Sequence, residues 1–149
     1  MRAVAQRVRE ARVVVGDEEV GSMGAGLLAL VGVGRDDGLP DARLLAEKLV
    51  HLRVLRDTEG RMNESLLDQG ATLGVVSQFT LMGDARKGRR PSYGAAAEPD
   101  DAEPLIEALV AHARSLGVTV VTGRFRAMMQ VSLVNDGPVT LLLDTKREF

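Results

Sequence analysis

Two short apolar runs constrain this chain more than any other feature. Residues 27–33, Leu-Leu-Ala-Leu-Val-Gly-Val, and residues 73–81, dominated by Val75, Val76, Phe79 and Leu81, are apolar at successive positions and not at helical spacing. Runs of that length read as strands buried inside a sheet, the second as a central one. Ahead of them, Val4, Val8 and Val13 to Val15 stand among charged residues and suit one or two strands. Gly16-Asp17 reads as a hairpin turn, and Val20 with Gly21, Gly24 and Gly26 as a bent or bulged strand.

Helical period occurs twice. After Pro40, the residues Ala42, Leu45, Leu49 and Leu52 recur at spacings of three and four, predicting a helix from about Asp41 to His51. Asp101 is placed to cap a second helix, with Pro104 in its first turn, Leu105, Ile106, Leu109, Val110, Ala113 and Leu116 inside, and Gly117 as its stop. Between them Asp57-Thr58-Glu59-Gly60 is a turn, and residues 118–122, 128–134 and 139–144 read as three closing strands. The order of strands, helix, strands, helix, strands predicts an α+β fold with a mixed or barrel-like sheet covered by two main helices. At 149 residues and 45% hydrophobic content, the chain fits one domain, 1–149. A domain of that size buries roughly 70% of the surface its unfolded form exposes.

Composition narrows the function. The chain has no cysteine, which removes disulfides, thiolate nucleophiles and thiolate metal sites, and predicts a cofactor-free, metal-free protein of the cytoplasm. No stretch approaches the roughly 20 apolar residues that span a bilayer. Aromatic content is 3% and the formal net charge −2, against both rows of base-stacking rings and a broadly basic nucleic-acid surface. The two histidines, His51 and His112, fall in the predicted helices without metal-ligand spacing, and no G-x-S-x-G elbow is present. The glycines at 21, 24, 26, 32 and 34 miss the dinucleotide-binding pattern and read as turn and bulge positions.

Three segments are less ordinary. In Ser77-Gln78-Phe79-Thr80-Leu81, three polar side chains interrupt a core-like strand, which is either ordinary alternation at a strand end or a set of groups that need partners. Asn135-Asp136-Gly137-Pro138-Val139-Thr140 lies between two predicted strands and reads first as a plain hairpin, although its Gly-Pro bond is of the kind that can be cis. Arg86-Lys87-Gly88-Arg89-Arg90 puts four cations in five residues just beyond the first segment, as a solvated loop or as a polyanion site.

At these residues the sequence resembles the D-aminoacyl-tRNA deacylase family, recognised by a Ser-Gln-Phe-Thr motif and an Asn-x-Gly-Pro-Val-Thr motif. Both are intact, at Ser77 to Thr80 and Asn135 to Thr140, and the similarity continues through Met62 to Leu66, Lys87 to Ser92 and Ala95-Ala96. The resemblance implies a hydrolase, acting without cofactor or metal, that cleaves D-aminoacyl-tRNA and mischarged glycyl-tRNA in translation quality control. It implies a homodimer whose partner is the 3′ acceptor end of aminoacyl-tRNA, with neither membrane nor DNA as partner.

Each active site is then shared between subunits. Ser77, Gln78, Phe79 and Thr80 of one chain carry catalysis. Gly137 and Pro138 of the other form a cis peptide whose carbonyls take the substrate's α-amino group and leave no room for an L side chain. Arg7 helps fix that element and belongs with Asn135, Phe125 and Met129 to the substrate pocket, the last two as apolar walls, and Arg86, Lys87, Arg89 and Arg90 meet the tRNA. Arg126 departs from the resemblance, standing where a small residue is usual. An aminoacyl ester is already activated and its neighbouring 2′-hydroxyl can help with water, so orientation and oxyanion stabilisation by N–H groups around Phe79 and Thr80 suffice, and Thr80 need not be a nucleophile. Two other readings stay open: a non-catalytic dimeric RNA-binding module, and a hydrolase of free D-amino acid esters that would be indifferent to salt.

Overall fold

In the computed structural model, which describes residues Met1 to Phe149, the chain runs β1 (Arg2–Val15), β2 (Glu18–Met23), β3 (Gly26–Gly32), α1 (Leu39–His51), β4 (Leu55–Arg56), β5 (Met62–Glu64), α2 (Leu66–Gln69), β6 (Thr72–Ser77), α3 (Pro99–Ser115), β7 (Thr119–Thr122) and β8 (Gln130–Asp144). A single 3₁₀ turn, Phe79–Met82, follows β6. β1 organises the sheet. Its first half pairs antiparallel with β3, its second half with β2, and its other edge with β8 along nearly its whole length. β6 and β7 then extend the sheet from β3 in parallel, giving the mixed order β2-β1-β3-β6-β7 with β8 outside β1.

The two apolar runs do become the central strands. Along β3, Leu27, Ala29 and Val31 face the main core, where they meet Leu73 and Val75 of β6, Leu45 and Leu49 of α1, and Leu109 and Ala113 of α3. Leu28 and Val76 face the opposite way, into a smaller cluster with Val8, Ala11 and Val13 of β1. Both faces are buried because helices cover one and the sheet curls over the other. Gly21 permits that curl: a Cβ there would lie 2.6 Å from the carbonyl oxygen of Thr122 in β7. The sheet is nearly closed, and the α+β barrel-like architecture with two main helices is as expected. No helix is long and apolar enough to cross a membrane.

Four local expectations are corrected. α1 starts at Leu39, two residues early, and Asp41 accepts the Gly38 N–H at 3.0 Å from within its first turn. α3 is capped at Glu98, not Asp101; the Glu98 carbonyl accepts from Asp101 and Ala102, because Pro99 already presents helical φ at the first position. Pro104 therefore stands in the second turn, where it cannot donate to Asp100. The second apolar run leaves the sheet at Ser77 and turns into the 3₁₀ segment, which β3 accommodates at Gly32, where a Cβ would sit 3.1 Å from the Gln78 carbonyl.

The fourth correction concerns residues 135–140, which are not a hairpin. Val134 pairs with Glu10 and Thr140 with Gln6, so both flanks run along the same strand in the same direction. From Gln6↔Thr140 to Val8↔Asn135, β1 advances two residues and β8 five, and the surplus bulges out of one continuous strand.

Candidate active site

Ser77 ends β6, and Gln78 makes its last sheet-like bond, N–H to the Val31 carbonyl at 2.7 Å. The chain then tightens into the 3₁₀ turn. The first N–H groups of any helix lack partners inside it, so those of Phe79 and Thr80 are available to something else. The Gln78 amide nitrogen donates to the Thr80 hydroxyl at 2.9 Å, fixing the two side chains on each other. Phe79 packs edge-on to Tyr93 with centroids 5.2 Å apart, yet remains 58% exposed.

These residues form one wall of a cavity of about 800 Å³. Tyr93, Ala96 and the start of α3 form another, and residues 125–129 the third, so Ser77, Gln78, Phe79, Thr80, Phe125 and Met129 are brought together as anticipated. Arg126 lines the cavity too. Its φ is +65°, in the left-handed region that costs a side-chain-bearing residue on the order of 1 kcal/mol. Neither histidine reaches the cavity: His112 faces Glu47 of α1 at 3.1 Å and His51 is exposed at the end of α1. No imidazole is therefore placed to activate Thr80.

The second motif lies elsewhere. Arg7, Asn135, Gly137 and Pro138 do not line this cavity of their own chain. The Gly137-Pro138 bond is cis, at the exposed part of the bulge. Asn135 closes the bulge from inside, its Oδ1 accepting the Val139 N–H at 2.8 Å and its Nδ2 donating to the Val139 carbonyl at 3.2 Å and the Thr140 hydroxyl at 3.1 Å. Gly137 is required sterically, since a Cβ would fall 2.5 Å from the Val139 nitrogen. Behind the bulge, Arg7 is buried with its Nε donating to the Asp136 carbonyl at 2.7 Å and its Nη1 to the Val54 carbonyl at 2.8 Å. Arg56 holds the Asp136 carboxylate at 2.9 Å.

The cationic loop springs from the cavity's edge. Asp84 and Ser92 exchange backbone hydrogen bonds of 2.8 Å at its foot, next to Tyr93. Arg86 donates through Nε and Nη2 to Asp84, which holds that carboxyl at about 2 and raises the guanidinium's own value. Lys87, Arg89 and Arg90 are exposed and make no ion pair. Two charged residues of the cavity were not anticipated, Arg35 just after β3 and Glu98 at the cap of α3. A cation directly after a buried strand end was the only trace of them in the sequence.

Comparison with known proteins agrees with this geometry. Among solved structures, one described as a probable eukaryotic D-amino acid tRNA deacylase superposes with a TM-score of 0.79 over 95% of this chain and 97% of that one, at 18% identity, which shows a shared fold. Another, the c-Myc DNA Unwinding Element Binding Protein, reaches a TM-score of 0.93 at 34% identity over 97% and 99% of the two chains. A D-aminoacyl-tRNA deacylase of Roseiflexus sp. (strain RS-1) is 59% identical over 145 residues, 97% of this chain and 94% of that protein. The family model D-Tyr-tRNA(Tyr) deacylase matches residues 4–144. The chain belongs to the D-Tyr-tRNA(Tyr) deacylase family, and by that membership is a hydrolase.

Proposed function

We propose that this protein is a cytoplasmic proofreading enzyme that hydrolyses the ester of D-aminoacyl-tRNA to free amino acid and tRNA, spares L-aminoacyl-tRNA, and works as a homodimer. One observation carries the reading: the two motifs are each rigidly built but far from complete on their own. Ser77 to Thr80 open on a cavity, whereas the Gly137-Pro138 bulge is held from behind by Arg7 and presented outward, away from that cavity. A second copy would bring them together. The outer edge of β8 is unpaired and carries the exposed apolar residues Val134 and Leu142, which favours association along this strand.

In the shared site the terminal ribose lies near Gln78, with the ester carbonyl over the 3₁₀ turn. Water adds to the carbonyl carbon, the N–H groups of Phe79 and Thr80 donate to the developing oxyanion, and the bond to the ribose oxygen breaks, that oxygen leaving with a proton. The adjacent 2′-hydroxyl helps position or deprotonate the water. The partner's Gly137 and Pro138 carbonyls accept the α-ammonium group and occupy the space an L side chain needs, so a D residue enters and glycine, having no side chain, passes as well. Phe125 and Met129 are apolar walls. Lys87, Arg89 and Arg90, with Arg86 partly neutralised by Asp84, face the phosphates of the acceptor arm.

The test is hydrolysis of D-tyrosyl-tRNA beside L-tyrosyl-tRNA by the purified, metal-stripped protein. Rapid loss of the D ester with the L ester intact is expected, slowing as salt rises because phosphate contacts release counterions. Inertness toward both esters overturns the proposal in favour of an RNA-binding module. Turnover indifferent to salt points to free D-amino acid esters instead.

A further inference from the structure

Two arginines stand at the cavity with no task in the mechanism above. Arg126 follows Phe125 along one wall and Arg35 follows Val33 and Gly34 along another. Both are exposed, and each faces a carboxylate at the start of α3, Arg126 toward Asp100 at 3.6 Å and Arg35 toward Glu98 at 3.7 Å. Neither contact is close enough to be a hydrogen bond, and both carboxylates are largely in water, so these pairs hold their guanidinium groups weakly. Arg126 is the third residue of a turn that the Ala127 N–H closes on the Arg124 carbonyl at 3.2 Å, which sets its left-handed backbone and leaves the exposed side chain on the cavity wall.

We propose that Arg126, assisted by Arg35, binds the phosphate on the 5′ side of the terminal nucleotide, exchanging Asp100 for that phosphate as the acceptor end enters. The inference rests on the deacylase reading of the cavity. Any aminoacyl-nucleotide whose ester reaches the Phe79-Thr80 turn brings this phosphate with it, and the cavity's other walls are largely apolar and offer no other cation. Lys87, Arg89 and Arg90 do not line the cavity; they are exposed in the loop at its edge, suited to phosphates further along the strand. A guanidinium fork suits a phosphate better than the single long contact it now makes, so the exchange favours binding. Arg126 is thus a specificity-determining residue that tells a nucleotide ester from a nucleoside ester.

Two small substrates isolate that one phosphate: adenosine carrying D-tyrosine on its ribose 3′-oxygen, and the same ester of adenosine 5′-monophosphate. The wild type should prefer the phosphorylated ester in kcat/KM by roughly tenfold, through KM and not kcat. Arg126→Gly should reduce that ratio to near unity, and Arg126→Asn, which also tolerates the left-handed region, should do the same. With whole tRNA, Arg126→Gly should lower the slope of log KM against log salt by about 0.7. Asp100→Asn should move the ratio the other way, by releasing the guanidinium. A ratio unchanged by Arg126→Gly, or a loss falling equally on both esters, overturns the assignment. Failure of the wild type to hydrolyse D-tyrosyl-tRNA would instead overturn the deacylase reading itself.

Discussion

The two motifs meet the same problem, polar residues inside a strand, and solve it in opposite directions. At Ser77 the strand stops: β6 gives way to a 3₁₀ turn, and the turn lines a cavity of the same chain with its first N–H groups unbonded within the helix. At Asn135 the strand continues: β8 keeps its partner β1 on both sides and expels the surplus as a bulge, with the released groups satisfied by Asn135 and Arg7. The first device leaves hydrogen-bonding capacity unspent, as a site that stabilises a transient charge must. The second spends nearly all of it on rigidity, which suits the obstruction proposed for it. Gly137 and Pro138 are the residues left exposed, outside the cavity of their own chain.

The strongest way to break that contrast is Gly137→Ala. The new methyl would press on the Val139 nitrogen, which Asn135 holds, so the bulge must open although the cavity is untouched. We expect kcat/KM for D-tyrosyl-tRNA to fall by about 100-fold or more at a temperature where the variant is folded, with the melting temperature lowered as the bulge loses its Asn135 bonds. A Gln78→Ala/Phe79→Ala double variant should be similarly inactive. If the site is shared across subunits, unfolding and refolding equal amounts of the two variants together forms mixed dimers with one intact site each, and restores about a quarter of wild-type activity. No recovery in demonstrably mixed dimers would place each site within a single chain.

Next in size is Arg7→Ala. Removing the guanidinium strands the Asp136 and Val54 carbonyls behind the bulge, for a destabilisation of about 3 kcal/mol in urea unfolding. Activity should drop roughly tenfold through a looser bulge, and L-tyrosyl-tRNA should begin to be cleaved. A folded variant with unimpaired discrimination would show that the bulge needs no support from within its own subunit.

How much of this was legible in sequence depends on which signals are local. The buried strands β3 and β6 and the amphipathic faces of α1 and α3 are written in apolar spacing, and the structure keeps them. The bulge was read as a hairpin because Asn-Asp-Gly-Pro is turn chemistry; only the register on β1, set by residues more than a hundred positions away, shows that both flanks belong to one strand. The cap of α3 was misplaced because Asp101 and Glu98 compete, and Pro99 decides between them. α2 was missed although Ser65 and Asp68 satisfy each other's N–H groups as a capping box, since four residues carry no period. The first motif was marked locally by three polar side chains in a core-like strand, but the residues 125–129 that face it only by resemblance; spacing alone could not bring Phe125 or Met129 to Ser77. Arg35 and Glu98 were invisible, being ordinary surface charges until the fold sets them beside the cavity.

The smallest expected effect falls on Thr80, and for that reason it is informative. Thr80 is the only hydroxyl that the 3₁₀ turn itself presents to the cavity, and it accepts a hydrogen bond from Gln78. A nucleophilic hydroxyl needs a base to take its proton, and both histidines lie on helices away from the cavity. Thr80→Ala should therefore cost less than about tenfold in kcat, the loss reflecting a Gln78 amide that has lost its partner, because the N–H donors belong to the backbone and survive the substitution. Thr80→Ser should be close to wild type. Loss of turnover by several orders of magnitude with tRNA affinity intact, or a burst of tRNA release before steady state, would mean a covalent acyl-enzyme. The comparison of the two motifs would then change, since the first would be spending its side chain on chemistry as well as its backbone on charge.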